Sequence, residues 1–478
     1  MKKIFHDGCR FFFTLFVSLL GGIIISPVYA DNVPAGIDEI VAHYKNATVG
    51  VQIQSMNSGR ILYQYNANNY FTPASTFKTF TAVAALSYLG PDYVFKTQLL
   101  STASTVNQGV LHSDIYLKFA GDPTLTYNDL SQLLATLTKS GVHTIQGNVY
   151  VDASLFDDEW IAPGLSDEEQ HFCYAASMSA VILNKNCYSF ELVPGRPGQH
   201  ALLKNSLTSQ FVNFNNSVVT STRRMRGGCA LNVKTDANNN YVLSGCLRRN
   251  IRGVGFGVPI RNPKIYGLYV TRALLRHLGI QVTGKIELEK TPPHLIVLAE
   301  HNSAPLAALV KHMLKKSDNI IAEALYKKLG AALYGEGTWI TGKQAVMQIL
   351  EKNAHIDFRE VRLIDGSGLS PYNQVSPLAM SQLLHYAFHD NNIRQPFLNA
   401  LPLSGVDGTL RNRMGNNGML RRVRAKTGTI NHVTGLAGYV QTNHNEILSF
   451  VVFVNNFNGP TSYFRTVEDR ISTFLAHT

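Results

Sequence analysis

An α/β (α+β) architecture interrupted by a large β-rich insertion is what this sequence predicts, on three observations. Residues 31–92 carry helix, strand, strand and helix patterns in succession. Residues 93–294 change texture, with short alternating segments broken by Gly, Pro and Asn. From 295 to 478 helical spacing dominates again, and two strand-like runs and a helix close the chain. Length agrees, because 478 residues exceed one ordinary domain. A hydrophobic content of 45% is ample for the cores this requires.

The first thirty residues stand apart. "MKKIFHDGCR" is a basic start, "FFFTLFVSLLGGIII" an apolar run, and "SPVYA" ends in the small-residue pattern Val28-x-Ala30. This is the layout of a secretory signal peptide cleaved after Ala30. The apolar run is short for a bilayer span, and no later segment is apolar and long enough for one, so no transmembrane anchor is expected after cleavage. An exported, periplasmic chain is therefore expected, soluble or peripherally associated with the envelope.

After the leader, "GIDEIVAHYKN" has helical spacing. "TVGVQIQS" and "ILYQYNA" alternate as strands around the turn "MNSGR". The run "STFKTFTAVAALSYLG" then reads as a helix starting at Ser75 and stopped by Gly90 and Pro91. In the insertion, "VLHSDIYLKFAGD", "IQGNVYVDAS" and "SFELVPG" read as strands and "LSQLLATLTKSG" as a short helix, in one or two subdomains. Beyond it come helices from "SAPLAALVKHMLKK", strands at "LAGYVQT" and "ILSFVVFVNN", and a closing helix in "YFRTVEDRISTFLAHT".

Charge and cysteine usage narrow the class. Losing Lys2, Lys3 and Arg10 against Asp7 takes the formal net charge from +11 to +9. The basic runs "STRRMR", "CLRRNIR" and "RRVRAKTG" come with no zinc finger or RNP signature, so no nucleic-acid partner is expected. An anionic envelope polymer or simple solvation accounts for them equally. Four cysteines, Cys173, Cys187, Cys229 and Cys246, follow the leader and allow three pairings. In an oxidising compartment the short loops Cys173–Cys187 and Cys229–Cys246 are favoured; the spacings do not suit a zinc site. No H-E-x-x-H, P-loop or dinucleotide fingerprint is present, so no metal or cofactor is expected.

Three short motifs carry the chemistry. In "YFTPASTFKTFTA", Ser75 precedes Lys78 by three residues, which puts a hydroxyl and an amine on one helix face. A serine needs such a base to become a nucleophile, and a helix start supplies N–H groups for an oxyanion. Taken alone, a capped helix with an incidental lysine accounts for this segment better. Ser317-Asp318-Asn319 offers a hydroxyl and a carboxamide two residues apart, which local backbone capping would also explain. Lys426-Thr427-Gly428-Thr429, ahead of strand-like sequence, lays an ammonium and two hydroxyls along one cleft edge, suited to a carboxylate. Gly428 would let a substrate backbone approach closely; an edge strand guarded by a lysine is the plainer account. Together, and in this order, the three form the set used by serine β-lactamases and penicillin-binding proteins.

About 240 residues separate Ser75 from Ser317, too many for an ordinary β-lactamase. The sequence resembles the D-alanyl-D-alanine carboxypeptidase/endopeptidase family, the class C low-molecular-mass penicillin-binding proteins. "FAGDPTLT", "LIDGSGLSPYN" and "LPLSGVDGTLRNR" are further stretches similar to family segments. The resemblance implies a β-lactamase/penicillin-binding-protein transpeptidase-like fold, with an antiparallel sheet flanked by helices. Its catalytic domain would comprise residues 31–92 and 295–478, with the insertion at 93–294. It implies a serine peptidase acting on peptidoglycan stem peptides, on cross-links too, and inhibited by β-lactam antibiotics. Ser75 would be the nucleophile, Lys78 its base and Ser317 a proton shuttle. Asn319 would hold the substrate amide. Lys426 would add electrostatic support, while Thr427 and Thr429 hold the terminal carboxylate; a buried Lys78 near this second cation would have its pKa pushed down.

One position departs from the family. Pro371 stands where an arginine associated with a diaminopimelate carboxylate commonly follows D-G-S-G-L-S, leaving that role to the basic 411–424 region or to an altered preference. Asp152 could meet the side-chain ammonium, although a lone Asp at a strand end is more often a turn residue. The rival readings are a β-lactamase, opposed by the long insertion, and a silent peptidoglycan-binding scaffold, opposed by three intact motifs.

Overall fold

The computed structural model describes residues 33–205, 212–222 and 229–478, so the expected leader lies outside the described residues. Helix α1 (Val33–Ala42) leads into strands β1 (Thr48–Ser55) and β2 (Ile61–Tyr65), followed by helix α2 (Lys78–Leu89). The insertion then opens with β3 (Lys96–Ser101), β4 (Ile115–Lys118), α3 (Tyr127–Lys139) and β5 (Val149–Asp152). It continues through β6 (Cys187–Val193), β7 (Val254–Pro259), α4 (Pro263–His277), β8 (Ile286–Leu288) and β9 (Ile296–Asn302). Helices α5 (Leu306–Lys316), α6 (Asn319–Tyr334), α7 (Trp339–Ala354), α8 (Pro377–His389) and α9 (Arg394–Ala400) follow. Strands β10 (Val423–Ile430), β11 (Val433–Gln441) and β12 (Ile447–Asn455) precede the closing helix α10 (Thr461–His477).

The sheet that joins the two ends of the chain has five antiparallel strands in the order β10-β11-β12-β1-β2. Its middle strands are buried on both faces, which is why "ILSFVVFVNN" reads as a nearly unbroken apolar run. Alternate side chains divide between two cores. Leu448, Phe450, Val452 and Val454 pack with α1 and α10, while Val451 and Phe453 join the helical side built from α2 and α5–α8. Each such side chain contributes about 1.5–3 kcal/mol by leaving water. Strand β10 lies at the sheet edge, its outer side bonded by residues 402–404 only as far as Ala425.

The insertion holds its own sheets. A mixed five-stranded one runs β8-β5-β4-β3-β9, and β9 pairs with β3 from Ile296 opposite Ser101 to Asn302 opposite Lys96. The expected boundary at 294 therefore corrects to about 303, because cutting earlier would strip an edge from this sheet. Cys173 is joined to Cys187 and Cys229 to Cys246, the two short loops favoured above. Among the described residues no helix is long and apolar enough to cross a membrane.

Candidate active site

Ser75 does not cap a helix. Residues Ala74–Phe77 form a single 3₁₀ turn leading into α2, and no side chain caps either element. Ala74 is held at φ +46°, a left-handed conformation that costs a non-glycine residue about 1–2 kcal/mol. The turn carries Ser75 into position, where Lys78 Nζ donates to its Oγ at 2.9 Å. Lys78 is fully buried and also donates to the Ser367 carbonyl at 2.8 Å. Burial pushes its pKa down, to about 8, against the opposing pull of Glu323 and Asp365. Burial and the nearby Lys426 were together expected to lower it, and burial is the dominant cause. The repulsion appears on the other partner, since Lys426 is lowered first by its own burial and then by Lys78.

Two carboxylates that the motifs did not single out hold this arrangement. Glu323, one turn beyond Asn319 on α6, accepts the Gly366 and Ser367 N–H groups at 2.7 and 3.1 Å. Asp365 accepts from Gly368 N–H, Ser370 N–H and Asn373 Nδ2. Burial raises the pKa of both. They brace the 365–370 loop, and that loop presents the Ser367 carbonyl to Lys78. A glutamate inside the apolar helical stretch "NIIAEALY" was the available signal for Glu323; Asp365 sat unremarked in "LIDGSGLSPYN".

Ser317 closes α5 in a left-handed conformation, φ +57°, and Asp318 caps α6 by accepting Ile321 N–H. This bend at the helix junction turns Ser317 toward β10, where Lys426 Nζ donates to its Oγ at 3.0 Å and to the Thr427 carbonyl at 2.7 Å. Asn319 is oriented from outside the catalytic domain: its Nδ2 donates to the Tyr174 carbonyl at 2.9 Å. Lys185 pairs with Asp318 at 2.5 Å from a turn in which Asn184, Lys185 and Asn186 all have positive φ. Tyr174 adjoins Cys173 and Lys185 lies two residues before Cys187, so one disulfide anchors both of the insertion's contacts with this motif. A cleft of about 530 Å³ lies there, lined by Tyr174, Lys185, Tyr188, Ser317 and Asn319 among others.

On β10, Thr427 and Thr429 occupy the open face. Thr427 donates to Thr409 Oγ1 at 2.7 Å, a hydroxyl that no motif revealed. A Cβ at Gly428 would lie 2.6 Å from the Pro73 carbonyl and 3.1 Å from Thr76 N, so its bareness admits the turn that carries Ser75. Gly368 approaches the same turn from the opposite side, against the Ala74 carbonyl.

Asp152 is not at this cleft's disposal. It is buried, with Oδ1 accepting Ser154 N–H and Oδ2 accepting Thr291 N–H, and these bonds hold its pKa low against burial. It ties strand ends together, the turn role named as its alternative. Pro371 lies in an exposed turn where its carbonyl accepts from Thr72. Two arginines of the 411–424 region face α10 instead: Arg413 binds Glu468 and Asp469, and Arg422 binds the Ala476 carbonyl.

A serine bonded to a buried lysine, a second hydroxyl–lysine pair and an edge strand bearing two threonine hydroxyls are the parts of an acyl-transfer site. Residues 33–478 match the D-Ala-D-Ala carboxypeptidase 3 (S13) family. The chain belongs to that family. It is 33% identical over 419 residues to the D-alanyl-D-alanine carboxypeptidase DacB of Haemophilus influenzae, covering 87% of this chain and 86% of that one. The crystal structure of penicillin-binding protein 4 (dacB) from Haemophilus influenzae superposes with a TM-score of 0.84 at 31% identity, over 92% of this chain and 99% of that one. A second structure of that protein, complexed with a β-lactam, gives a TM-score of 0.78 at 31% identity, covering 92% and 98%. This S13 chain is accordingly a serine-type peptidase with the β-lactamase-like α+β fold.

Proposed function

We propose that this S13 enzyme removes the terminal D-alanine from peptidoglycan stem peptides through an acyl-enzyme on Ser75. The observation that carries the reading is the 2.9 Å contact between Ser75 Oγ and a buried Lys78 whose burial favours the neutral amine. Neutral Lys78 takes the Ser75 proton as Oγ attacks the penultimate D-Ala carbonyl. The N–H groups of Ser75 and Thr429 receive the developing oxyanion. Ser317, linked to Lys426, passes a proton to the departing D-alanine amine as the C–N bond breaks. Asn319 holds the peptide amide, and Thr427 and Thr429 face the terminal carboxylate. Water then hydrolyses the ester and regenerates Ser75.

A D-Ala–diaminopimelate cross-link also has a free carboxylate beside its scissile amide, so the same site would serve as a DD-endopeptidase. β-Lactams would acylate Ser75 and leave slowly, in keeping with the β-lactam complex of the Haemophilus relative. The leader pattern, two disulfides and envelope substrate together support an exported, periplasmic enzyme.

Intact-mass measurement with a labelled penicillin tests the reading. A long-lived adduct that disappears in Ser75→Ala is the expected result. Rapid turnover would make the protein a β-lactamase, and no adduct would leave a silent scaffold.

A further inference from the structure

Thr429, at the outer end of the motif on β10, has a neighbour that no motif predicted. Arg465 on α10 brings Nη2 to 3.5 Å from Thr429 Oγ1. That contact is long, and Thr429 Oγ1 itself donates to the Gly428 carbonyl at 2.7 Å, so the guanidinium is only loosely held. The carboxylate one turn further along α10, Asp469, is taken by Arg413 at 2.6 Å, and Arg413 also holds buried Glu468. Glu468 in turn accepts from Thr434 behind Gly428. Among the described residues no carboxylate pairs with Arg465.

The two motif lysines are poorly suited to an anion at this spot. Lys78 and Lys426 are both fully buried, and each is already bonded to a serine hydroxyl and a backbone carbonyl. Both are also pushed toward the neutral amine by burial. A guanidinium stays charged in any such setting and presents a fork that matches a carboxylate. In a DD-peptide the α-carboxylate of the leaving residue lies one carbon from the amide nitrogen. In the binding mode proposed above, with the scissile carbonyl at Ser75, it would lie along Thr427 and Thr429, and Arg465 reaches Thr429.

We infer that Arg465 is a specificity-determining residue, binding the free α-carboxylate on the leaving side of the scissile amide. This rests on the DD-peptidase reading above. Terminal D-alanine and a cross-linked D-centre share that carboxylate, so Arg465 would serve both cleavages and reject peptides whose terminal carboxylate is masked.

Wild type, Arg465→Gln and Arg465→Lys are compared on an N-acylated peptide ending in D-Ala-D-Ala and on its C-terminal amide. Removing a charge-assisted contact should lower kcat/KM for the acid by about 10- to 100-fold, chiefly through KM. The amide should respond far less, so the acid-to-amide preference collapses in Arg465→Gln and is partly restored in Arg465→Lys. An unchanged preference, or acid and amide falling together, overturns the assignment. Penicillin labelling of Ser75 in the same preparations separates the two readings. Labelled enzyme with unchanged preference sinks only the role of Arg465, whereas wild type that neither labels nor cleaves sinks the peptidase reading and this role with it.

Discussion

As the proposed base, Lys78 would decide when Ser75 reacts. It is a base only when neutral, and burial brings its pKa to about 8. Acylation of Ser75 by penicillin should therefore rise with pH, level off above about 8, and fall about tenfold per pH unit well below it. A flat profile from pH 6 to 9 would remove Lys78 from that role. The Ser75–Lys78 spacing was legible in the sequence because it is local. The support around it was not, because Glu323 and the Ser367 carbonyl reach Lys78 only through tertiary packing of α6 and the 365–370 loop. Asp152 misled for the converse reason. Its residue type suited an ammonium, but only the structure reveals two backbone N–H groups already occupying its oxygens.

At the scale of elements, the site is the meeting of the Ala74–Phe77 turn, the α5–α6 bend and the edge strand β10. Gly428 sets how closely turn and strand approach. Gly428→Ala would force its methyl into the Pro73 carbonyl, costing about 1–3 kcal/mol of stability and spreading Ser75 from Thr429. A lowered Tm together with slower penicillin acylation is the expected result. The Cys173–Cys187 loop acts on the α5–α6 bend from the other side. Closing a loop of sequence separation 14 is worth about 3 kcal/mol. In a Cys173→Ser/Cys187→Ser variant, Tyr174 and Lys185 should lose their hold on Asn319 and Asp318. Peptide hydrolysis should then fall about 10- to 100-fold while the Ser75–Lys78 pair is preserved. Wild-type rates in the double variant would show that the insertion does not position the motif. The sequence marked these elements by apolar periodicity and turn residues. It could not show that a segment 130 or more residues away in the chain supplies the acceptor for Asn319.

Across the whole molecule, insertion and catalytic domain are joined by buried polar contacts as well as apolar ones. Lys327, fully buried on α6, pairs with Asp157 at 2.5 Å, donates to the Glu159 carbonyl at 2.8 Å, and lies 4.4 Å from the Trp339 ring centroid. Asp157→Ala would leave that ammonium unpaired, and about 3–5 kcal/mol of stability should be lost. Thermal or urea unfolding measures this, and a change below 1 kcal/mol would contradict it. The expectation of a split domain with an insertion came from texture alone. The boundary near 303 was not readable that way, because a strand's sheet membership depends on its partner, and β9 finds β3 across almost 200 residues.

The order of the catalytic sheet also bears on how the enzyme comes into being. Strand β1 is made early, yet one of its two sheet neighbours is β12, with Thr48 opposite Asn455 and Ser55 opposite Leu448. Nearly the entire chain must therefore emerge before the sheet behind the nucleophile can close. A nascent or prematurely terminated chain ending before residue 447 would hold Ser75 and Lys78 with nothing to assemble them against. Catalytic competence would thus arrive only toward the end of synthesis.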